Sequence, residues 1–493
     1  MRDRRLPLVA LGIALAVLTA CKVACVLAGP DVDTDAYAHH MIARAILADP
    51  HDLSVHWVWL PLFHYAQVPL VALGGTMQDV RWLDVLLSGA LPVAVFAYVR
   101  RTARTAGSLL SADAVALVAA LVAAASPIVL QMGTTAQPEP LFALVVFGVA
   151  VTFQERRYGW AAVLLAAAVM LRYEAWASLA TVAVVVVVEP SWRRRRALPL
   201  EPHPWQAWIT IALPVVLILA WAALRRPVDG TWFGFLSQTK EFANDATHAR
   251  FGLARDAFYY PVAVALRVLG TVMILVPFGV VRAVRQQGAR FVLVLLACLG
   301  MVSLSWITRS SLGLDRHFVC IVPLYAIFAA QGMAAVADFV AALVAARTSR
   351  ARAATAGRAV AAALAVVALG GLFVEDDVWI GFWRASIARG WPDRAALAAY
   401  VRGIPGSPTV FCDDATFEML TGLDRRRFDR HWIDDPHTWD VIDAEARAHG
   451  PVYVATWRRK LVGHEDEGPI VFVGGQDPAN PAGTGVAVMR VQR

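Results

Sequence analysis

Charge is scarce in this 493-residue sequence: the four charged residue types make up 17% of it, against 58% hydrophobic residues. Soluble domains carry about 25% charged residues, so the composition argues against an ordinary soluble protein. The five cysteines show neither a disulfide framework nor a zinc-site spacing. Internal repeats, heptads, low-complexity segments and the glycine patterns of Walker or Rossmann sites are also missing, so nothing indicates a solenoid, a coiled coil or a nucleotide-binding domain.

Long apolar runs dominate what is present. The first run, Leu6 to Ala28, contains one charge, Lys22, and is long enough to cross a bilayer as a helix. Leu18 to Cys21 is similar to a bacterial lipobox, but the apolar run continues past it, which favours an uncleaved first helix. Similar runs follow along the chain, so the sequence predicts an all-helical, multi-pass membrane domain.

Arginine clusters separate the apolar runs and supply the net charge of +7, a pattern typical of cytoplasmic loops and not of a nucleic-acid surface. Six clusters are assigned to the cytoplasm: Arg2/Arg4/Arg5, Arg100/Arg101/Arg104, Arg156/Arg157, Arg193 to Arg196, Arg282/Arg285/Arg290 and Arg347/Arg350/Arg352/Arg358. This placement predicts about eleven spans, a cytoplasmic N-terminus and an exported C-terminus. The spans are Leu6–Ala28, Trp82–Val99, Val115–Leu130, Leu141–Phe153, Trp160–Leu171, Trp176–Val188, Trp208–Leu224, Val262–Val281, Phe291–Ile307, Phe318–Val336 and Ala359–Phe373.

Two further helical segments, Ala36–Leu47 and Leu60–Leu73, are predicted to lie along the outer membrane surface, because a span at either place would invert every later loop. Beyond Phe373 the sequence becomes polar. Short β-type runs alternate there with helical stretches, which predicts a small exported α/β domain over residues 375–493 behind a membrane domain over residues 1–374. The predicted strands are Thr409–Cys412, Val452–Thr456, Ile470–Val473 and Val486–Val491, and the predicted helices are Ala415–Leu420 and Thr438–His449.

Several short motifs occur on the predicted outer side. They are Asp35-Ala36-Tyr37 with Arg44, Leu60-Pro61-Leu62-Phe63-His64, Arg81-Trp82-Leu83, Gln137-Pro138-Glu139-Pro140, Arg172-Tyr173-Glu174 and Arg316-His317-Phe318. Their order resembles that of the GT-C superfamily of integral-membrane glycosyltransferases, and within it the bacterial relatives of protein O-mannosyltransferases and of aminoarabinose transferases of lipid A. Those relatives usually carry Asp-Glu where this sequence has Asp35-Ala36.

The resemblance implies transfer of a sugar from a polyprenyl phosphate to an acceptor glycan, lipid or protein at the outer face of a bacterial inner membrane, without a required cofactor. An attacking hydroxyl needs a carboxylate to take its proton, and Asp35 is the preferred general base. Asp33 competes for this role, and Asp35 is alternatively a helix cap.

The departing phosphate needs cations, for which Arg172 and Arg316 with His317 are the candidates. Glu174 is expected to partner Arg172, and Arg44 either binds phosphate or pairs with an acidic residue. Other candidate substrate contacts are Tyr37, His64, Glu139 and Lys240.

Two alternatives remain open. In an oligosaccharyltransferase-like variant, Asp35 and Glu139 would hold a divalent cation, since such ions prefer oxygen ligands. In a transporter or flippase, Arg172 and Glu174 would line a pathway, although the matching halves typical of transporters are missing from the sequence. His39, His40, His56 and His64 show no metal-ligand spacing.

Overall fold

The computed structural model describes residues 6–31, 33–103, 108–196, 204–246, 252–431, 433, 435–474 and 485–492. The predicted cytoplasmic residues Arg2, Arg4, Arg5 and Arg104 lie outside these ranges. The chain divides into two compact units, which we name the membrane unit (Met1–Cys25 with Ile42–Trp379) and the sheet unit (Val26–Met41 with Ile380–Arg493). The sheet unit is therefore assembled from two distant stretches of the sequence.

Helices make up most of the membrane unit and a large part of the sheet unit. The first half of the chain contains α1 (Leu6–Ala28), α2 (Thr34–Ala48), α3 (Leu62–Ala72), α4 (Met77–Thr102), α5 (Ala112–Ala124), α6 (Pro127–Met132), α7 (Glu139–Gln154), α8 (Tyr158–Leu171), α9 (Glu174–Arg195) and α10 (Pro204–Asp229). These are followed by α11 (Gly234–Ala246), α12 (Leu253–Ala257), α13 (Ala265–Leu269), α14 (Val276–Gln287), α15 (Ala289–Ile307), α16 (Val322–Ala345) and α17 (Arg350–Gly403). Two 3-10 helices, Leu53–His56 and Asp315–Ile321, bear on the site described below.

The helices agree with the predicted membrane spans. Within the described residues, seven helices are long and apolar enough to cross a bilayer, or eight if one bent pair counts as a single span. Three shorter apolar helices, α5, α7 and α8, coincide with further predicted spans. The predicted surface segments are also helical, as α2 and α3. The multi-pass helical architecture is therefore confirmed.

Two predicted spans are broken. Val115–Leu130 divides into α5 and α6 because Pro127, in the first turn of α6, has no N–H to continue the earlier helix. Val262–Val281 bends by 86° where α14 begins. A glycine with positive φ, Gly270, precedes this bend, and Pro277 occupies the first turn of α14. A single apolar run in the sequence can therefore contain a helix break, which a proline or glycine causes.

Two of the described arginine-rich segments are joined through one carboxylate in the membrane unit. Glu189, near the end of α9, accepts hydrogen bonds from Arg193 at 2.6 Å and from Arg290, at the start of α15, at 2.8 Å. Asp338, near the end of α16, pairs with Arg282 of α14 at 2.7 Å. The segments of Arg193 and Arg290, which the charge pattern assigns to a single membrane side, therefore lie together in the fold.

The sheet unit contains five strands in the order β2-β1-β3-β5-β4. They are β1 (Val410–Cys412), β2 (Phe428–Arg430), β3 (Val452–Trp457), β4 (Ile470–Gly474) and β5 (Val486–Val491). Strand β1 runs parallel to β2 and β3, while β5 runs antiparallel to β3 and β4. The four predicted strands are confirmed, and β2 was missed because only Phe428 of its three residues is of a β-type, while Asp429 and Arg430 are not.

Alternate strand residues face two helical layers. One layer contains α19 (Pro436–His449), whose Trp439 and Ile442 pack with Phe411 and Val454. The other contains the end of α17 and helix α18 (Ala415–Thr421), where Leu397 and Phe417 pack with neighbouring strand residues. The two-residue period of the strands thus gives this unit two apolar cores around a central sheet.

Candidate functional site

A group of charged side chains lies where four segments of the membrane unit begin or end. Glu139 begins α7, Arg172 lies between α8 and α9, and Glu174 begins α9. Arg316 and His317 belong to the 3-10 helix Asp315–Ile321, which leads into α16. We call these five residues the charged cluster. The arginine-rich segments occupy the other ends of α7, α9 and α16.

Arg172 is the centre of the charged cluster. Its Nη1 donates to Glu139 Oε1 at 2.5 Å, and its Nη2 donates to Glu174 Oε1 at 2.9 Å. Arg172 Nε lies 3.2 Å from both carboxylate oxygens of Glu174. The guanidinium fork therefore holds two carboxylates from two different helices, the geometry in which arginine binds most specifically.

The remaining members surround this pair of contacts. Arg316 Nε lies 3.5 Å from Glu139 Oε1, so two guanidinium groups face one carboxylate oxygen. His317 Nδ1 lies 2.9 Å from Arg172 Nη2 and 2.8 Å from Glu174 Oε1. That nitrogen accepts from the arginine when unprotonated and donates to the glutamate when protonated.

Burial makes these contacts strong. The Glu139 side chain is 2% exposed and that of Arg172 is 14% exposed. Two arginines balance two glutamates when His317 is neutral, which is how charges are kept inside a protein without a large desolvation cost. The second oxygen of Glu139, Oε2, has no hydrogen-bond partner among the residues that the structure describes. It is an acceptor that a hydroxyl-bearing ligand could use.

Helix α4 holds the segment that precedes Glu139. Arg81 is fully buried and its Nε donates to the Thr134 carbonyl at 2.8 Å. Asp84, also fully buried, accepts from the Gln137 backbone N–H at 3.1 Å. Arg81 belongs to one of the predicted motifs but had no predicted role, and Asp84 was not among the predicted site residues. Their position at the start of an apolar span could have identified both residues, because charged side chains within a membrane require partners.

Other predicted site residues of the membrane unit have different surroundings. His64 is buried, with its Nδ1 2.9 Å from Nδ1 of His56, and Trp221 lies edge-on to the His56 ring. Arg44 on α2 and Lys240 on α11 are exposed. The described residues include no group of three or more His, Cys, Asp or Glu that could hold a metal ion.

Asp33, Asp35 and Tyr37 belong to the sheet unit, and we name Asp31, Asp33 and Asp35 the acidic loop. Asp31 Oδ1 accepts from the Asp33 N–H, and Asp33 Oδ1 accepts from the Asp35 N–H, both at 3.0 Å. The Tyr37 hydroxyl donates to the Asp31 carbonyl at 3.1 Å. Helix α2 begins at Thr34 rather than at Ala36, so Asp35 lies in its first turn and Asp33 makes the capping bond.

Comparison with known proteins shows similarity in structure alone. No protein-family model and no curated protein sequence matches the chain. The structure is similar to that of ArnT from Cupriavidus metallidurans bound to undecaprenyl phosphate, with 14% identity, a TM-score of 0.60 and coverage of 99% of this chain and 98% of that chain.

The apo state of the same ArnT gives 15% identity, a TM-score of 0.58 and coverage of 96% and 97%. The structure is also similar to that of the archaeal oligosaccharyltransferase AglB from Archaeoglobus fulgidus, in complex with an inhibitory peptide and a dolichol-phosphate. This comparison gives 12% identity, a TM-score of 0.53 and coverage of 93% of this chain and 70% of that chain. These similarities confirm the predicted GT-C-like fold over nearly the whole chain.

Proposed function

We propose that this protein is a membrane glycosyltransferase that moves a sugar from a polyprenyl phosphate onto an acceptor at the outer face of a bacterial inner membrane. The main support is the fold, which the chain shares from end to end with an ArnT structure that holds undecaprenyl phosphate. The partly buried arginines Arg172 and Arg316 supply the chemistry that a lipid phosphate needs, because guanidinium groups bind phosphate through paired hydrogen bonds.

The proposed reaction exchanges one bond for another at the anomeric carbon. The acceptor oxygen forms a bond to that carbon while the bond from carbon to the phosphate oxygen breaks, and the phosphate leaves with the electron pair. Asp35 takes the acceptor proton, and Asp33 holds the start of α2 through its bond to the Asp35 N–H. Arg172 and Arg316, with His317, stabilise the growing charge on the phosphate.

The other candidate residues have supporting roles in this proposal. Glu174 fixes the guanidinium of Arg172, and Glu139 offers its second oxygen to the acceptor or the sugar. The Tyr37 hydroxyl supports the acidic loop through the Asp31 carbonyl. Arg44, His64 and Lys240 are proposed as further donor or acceptor contacts, and Arg44 and Lys240 have the exposure that such contacts need.

The test is sugar transfer by the purified protein in lipid nanodiscs, with a panel of labelled sugar-linked polyprenyl phosphates. Asp35→Asn should lower transfer by roughly 10²–10⁴-fold, the usual contribution of a general base. Asp33→Asn is the matched control, because it removes a neighbouring carboxylate charge but leaves an amide oxygen to cap the helix. Equal activity of the two variants would refute the assignment of Asp35.

A metal-dependent, oligosaccharyltransferase-like reaction is the second candidate, and the similarity to AglB is the observation that favours it. In that reaction Asp35 and Glu139 would hold a divalent cation. The surroundings of Glu139 fit this less well, because Arg172 and Arg316 already place two positive charges at one of its oxygens. Transfer that stops with chelator and returns with magnesium or manganese would favour the second candidate over the first.

A further inference from the structure

We infer that the sheet unit positions the proposed general base, and that a hydrogen bond between Thr34 and Asp414 is the contact through which it acts. This inference rests on the proposed function of Asp35. It assigns to the exported domain a part in catalysis, because the loop that carries the base is folded as a piece of that domain. Thr34 and Asp414 are positioning residues.

The contact is short and specific. Thr34 Oγ1 donates to Asp414 Oδ1 at 2.5 Å, between residues 380 positions apart in the sequence. The same Asp414 oxygen accepts from the Thr416 N–H at 2.8 Å, and the other oxygen lies 3.4 Å from Arg394 Nη2. Asp414 thus gathers three donors from α2, α18 and α17.

Asp414 is itself firmly placed. It lies two residues beyond the fully buried Cys412, which ends β1, and its side chain is 7% exposed. Its partner Arg394 lies over the Trp457 ring, with the guanidinium carbon 5.2 Å from the ring centre. A buried carboxylate with three donors has little freedom to move, because each lost bond leaves a desolvated polar group.

The consequence for Asp35 follows from the chain. Thr34 is the residue before Asp35 and the first residue of α2, so fixing its side chain fixes the direction in which the helix starts. The hydrogen bonds from Asp31 to Asp33 and from Asp33 to Asp35 fix the local conformation of the loop. The Thr34 bond connects the loop to Asp414, which follows strand β1. A displacement of about 1 Å at a catalytic group can cost 10²-fold in rate.

The experiment compares three single variants in nanodiscs. Thr34→Val removes the hydroxyl while nearly keeping the shape, and Thr34→Ser keeps the hydroxyl. Thr456→Val is the matched control, because the buried Thr456 Oγ1 makes an equivalent bond to Asp413 Oδ1 at 2.9 Å, which involves neither Thr34 nor Asp414. Two quantities are measured: the hydrogen exchange of the amides of Asp33 and Asp35, and kcat and KM for sugar transfer.

We expect Thr34→Val to raise exchange at Asp33 and Asp35 at least 10-fold and to lower kcat by roughly 10–100-fold with little change in KM. Thr34→Ser should restore both quantities to within about threefold, and Thr456→Val should change neither. Faster exchange with normal kcat would overturn the inference, as would unchanged exchange in Thr34→Val. If Asp35→Asn keeps full activity while exchange responds as expected, the assignment of the base has failed, and the anchor no longer has a catalytic group to position.

Discussion

Replacement of Arg172 by glutamine should destabilise the membrane unit more than the same replacement of an exposed arginine. The substitution leaves Glu139 and Glu174 buried, with side chains 2% and 7% exposed, and without their shared cation. Removing one partner of a buried ion pair typically costs about 3–5 kcal/mol. We expect the lower end of that range, since Glu139 keeps Arg316 at 3.5 Å and Glu174 keeps His317 at 2.8 Å.

The double variant Arg172→Gln/Glu174→Gln gives the sharper result. Neutralising Glu174 together with Arg172 removes one of the two stranded carboxylates, so the double variant should be more stable than the sum of the single effects predicts by about 1–3 kcal/mol. Arg267→Gln is the matched control, because its pair with Asp315 is also short, 2.6 Å, but its side chains are 51% and 37% exposed. Exposed pairs contribute about 0–1 kcal/mol.

The assay is reversible unfolding in mixed micelles, titrated with a denaturing detergent and followed by the fluorescence of the 17 tryptophans. The free energy of unfolding is compared among the wild type, the single variants and the double variant. If Arg172→Gln costs no more than Arg267→Gln, and the double variant shows no coupling, the charged cluster is solvated and the argument from burial is wrong.

Two further predictions concern the fold. Gly279→Ala should destabilise the protein by about 1–3 kcal/mol, because a Cβ there would lie 1.7 Å from the Phe328 carbonyl oxygen and force α14 from α16; Gly300→Ala, with open space at its Cβ, should be neutral or slightly stabilising in the same unfolding assay. Burial, with the nearby Arg225 and against the weaker effect of Asp52, lowers the pKa of His56 to about 3. The unfolded chain therefore binds a proton that the folded chain refuses, and stability should fall by about 1 kcal/mol between pH 6.5 and 5.5 through this residue alone. His56→Phe should remove that part of the slope, and an unchanged slope would contradict the assigned surroundings.

Much of the fold could be predicted because its main determinants are local. Apolar runs between arginine clusters predicted the long helices of the described residues, although two of these runs are broken in the structure, and short β-type runs predicted four of the five strands described. The prolines at the break and at the bend, Pro127 and Pro277, are present in the sequence, but the sequence does not give the angle of the bend. Beyond the bend, Gly279 and Gly332 let the backbones of α14 and α16 touch, a contact between positions far apart in the sequence.

The sequence predicted which residues belong to the site better than it predicted the contacts between them. Motifs at helix ends identified Glu139, Arg172, Glu174, Arg316 and His317, which the structure brings together. The sequence offered no means of knowing that Arg172 would bind Glu139 across 33 positions as well as its near neighbour Glu174. Buried side chains that support the site through hydrogen bonds to its backbone, such as Asp84, were missed because their importance depends on packing.

The discontinuous origin of the sheet unit constrains how the protein matures during synthesis. Residues 26–41 leave the ribosome early, yet Asp414, to which Thr34 bonds, is made after more than three quarters of the chain is complete. Domains generally fold in the order in which they are synthesised, so the acidic loop must wait for the last segment before it reaches its final conformation. A ribosome-bound chain whose synthesis has not reached Asp414 would therefore still have an immature loop, and the proposed base would be set in place only after that residue has been made.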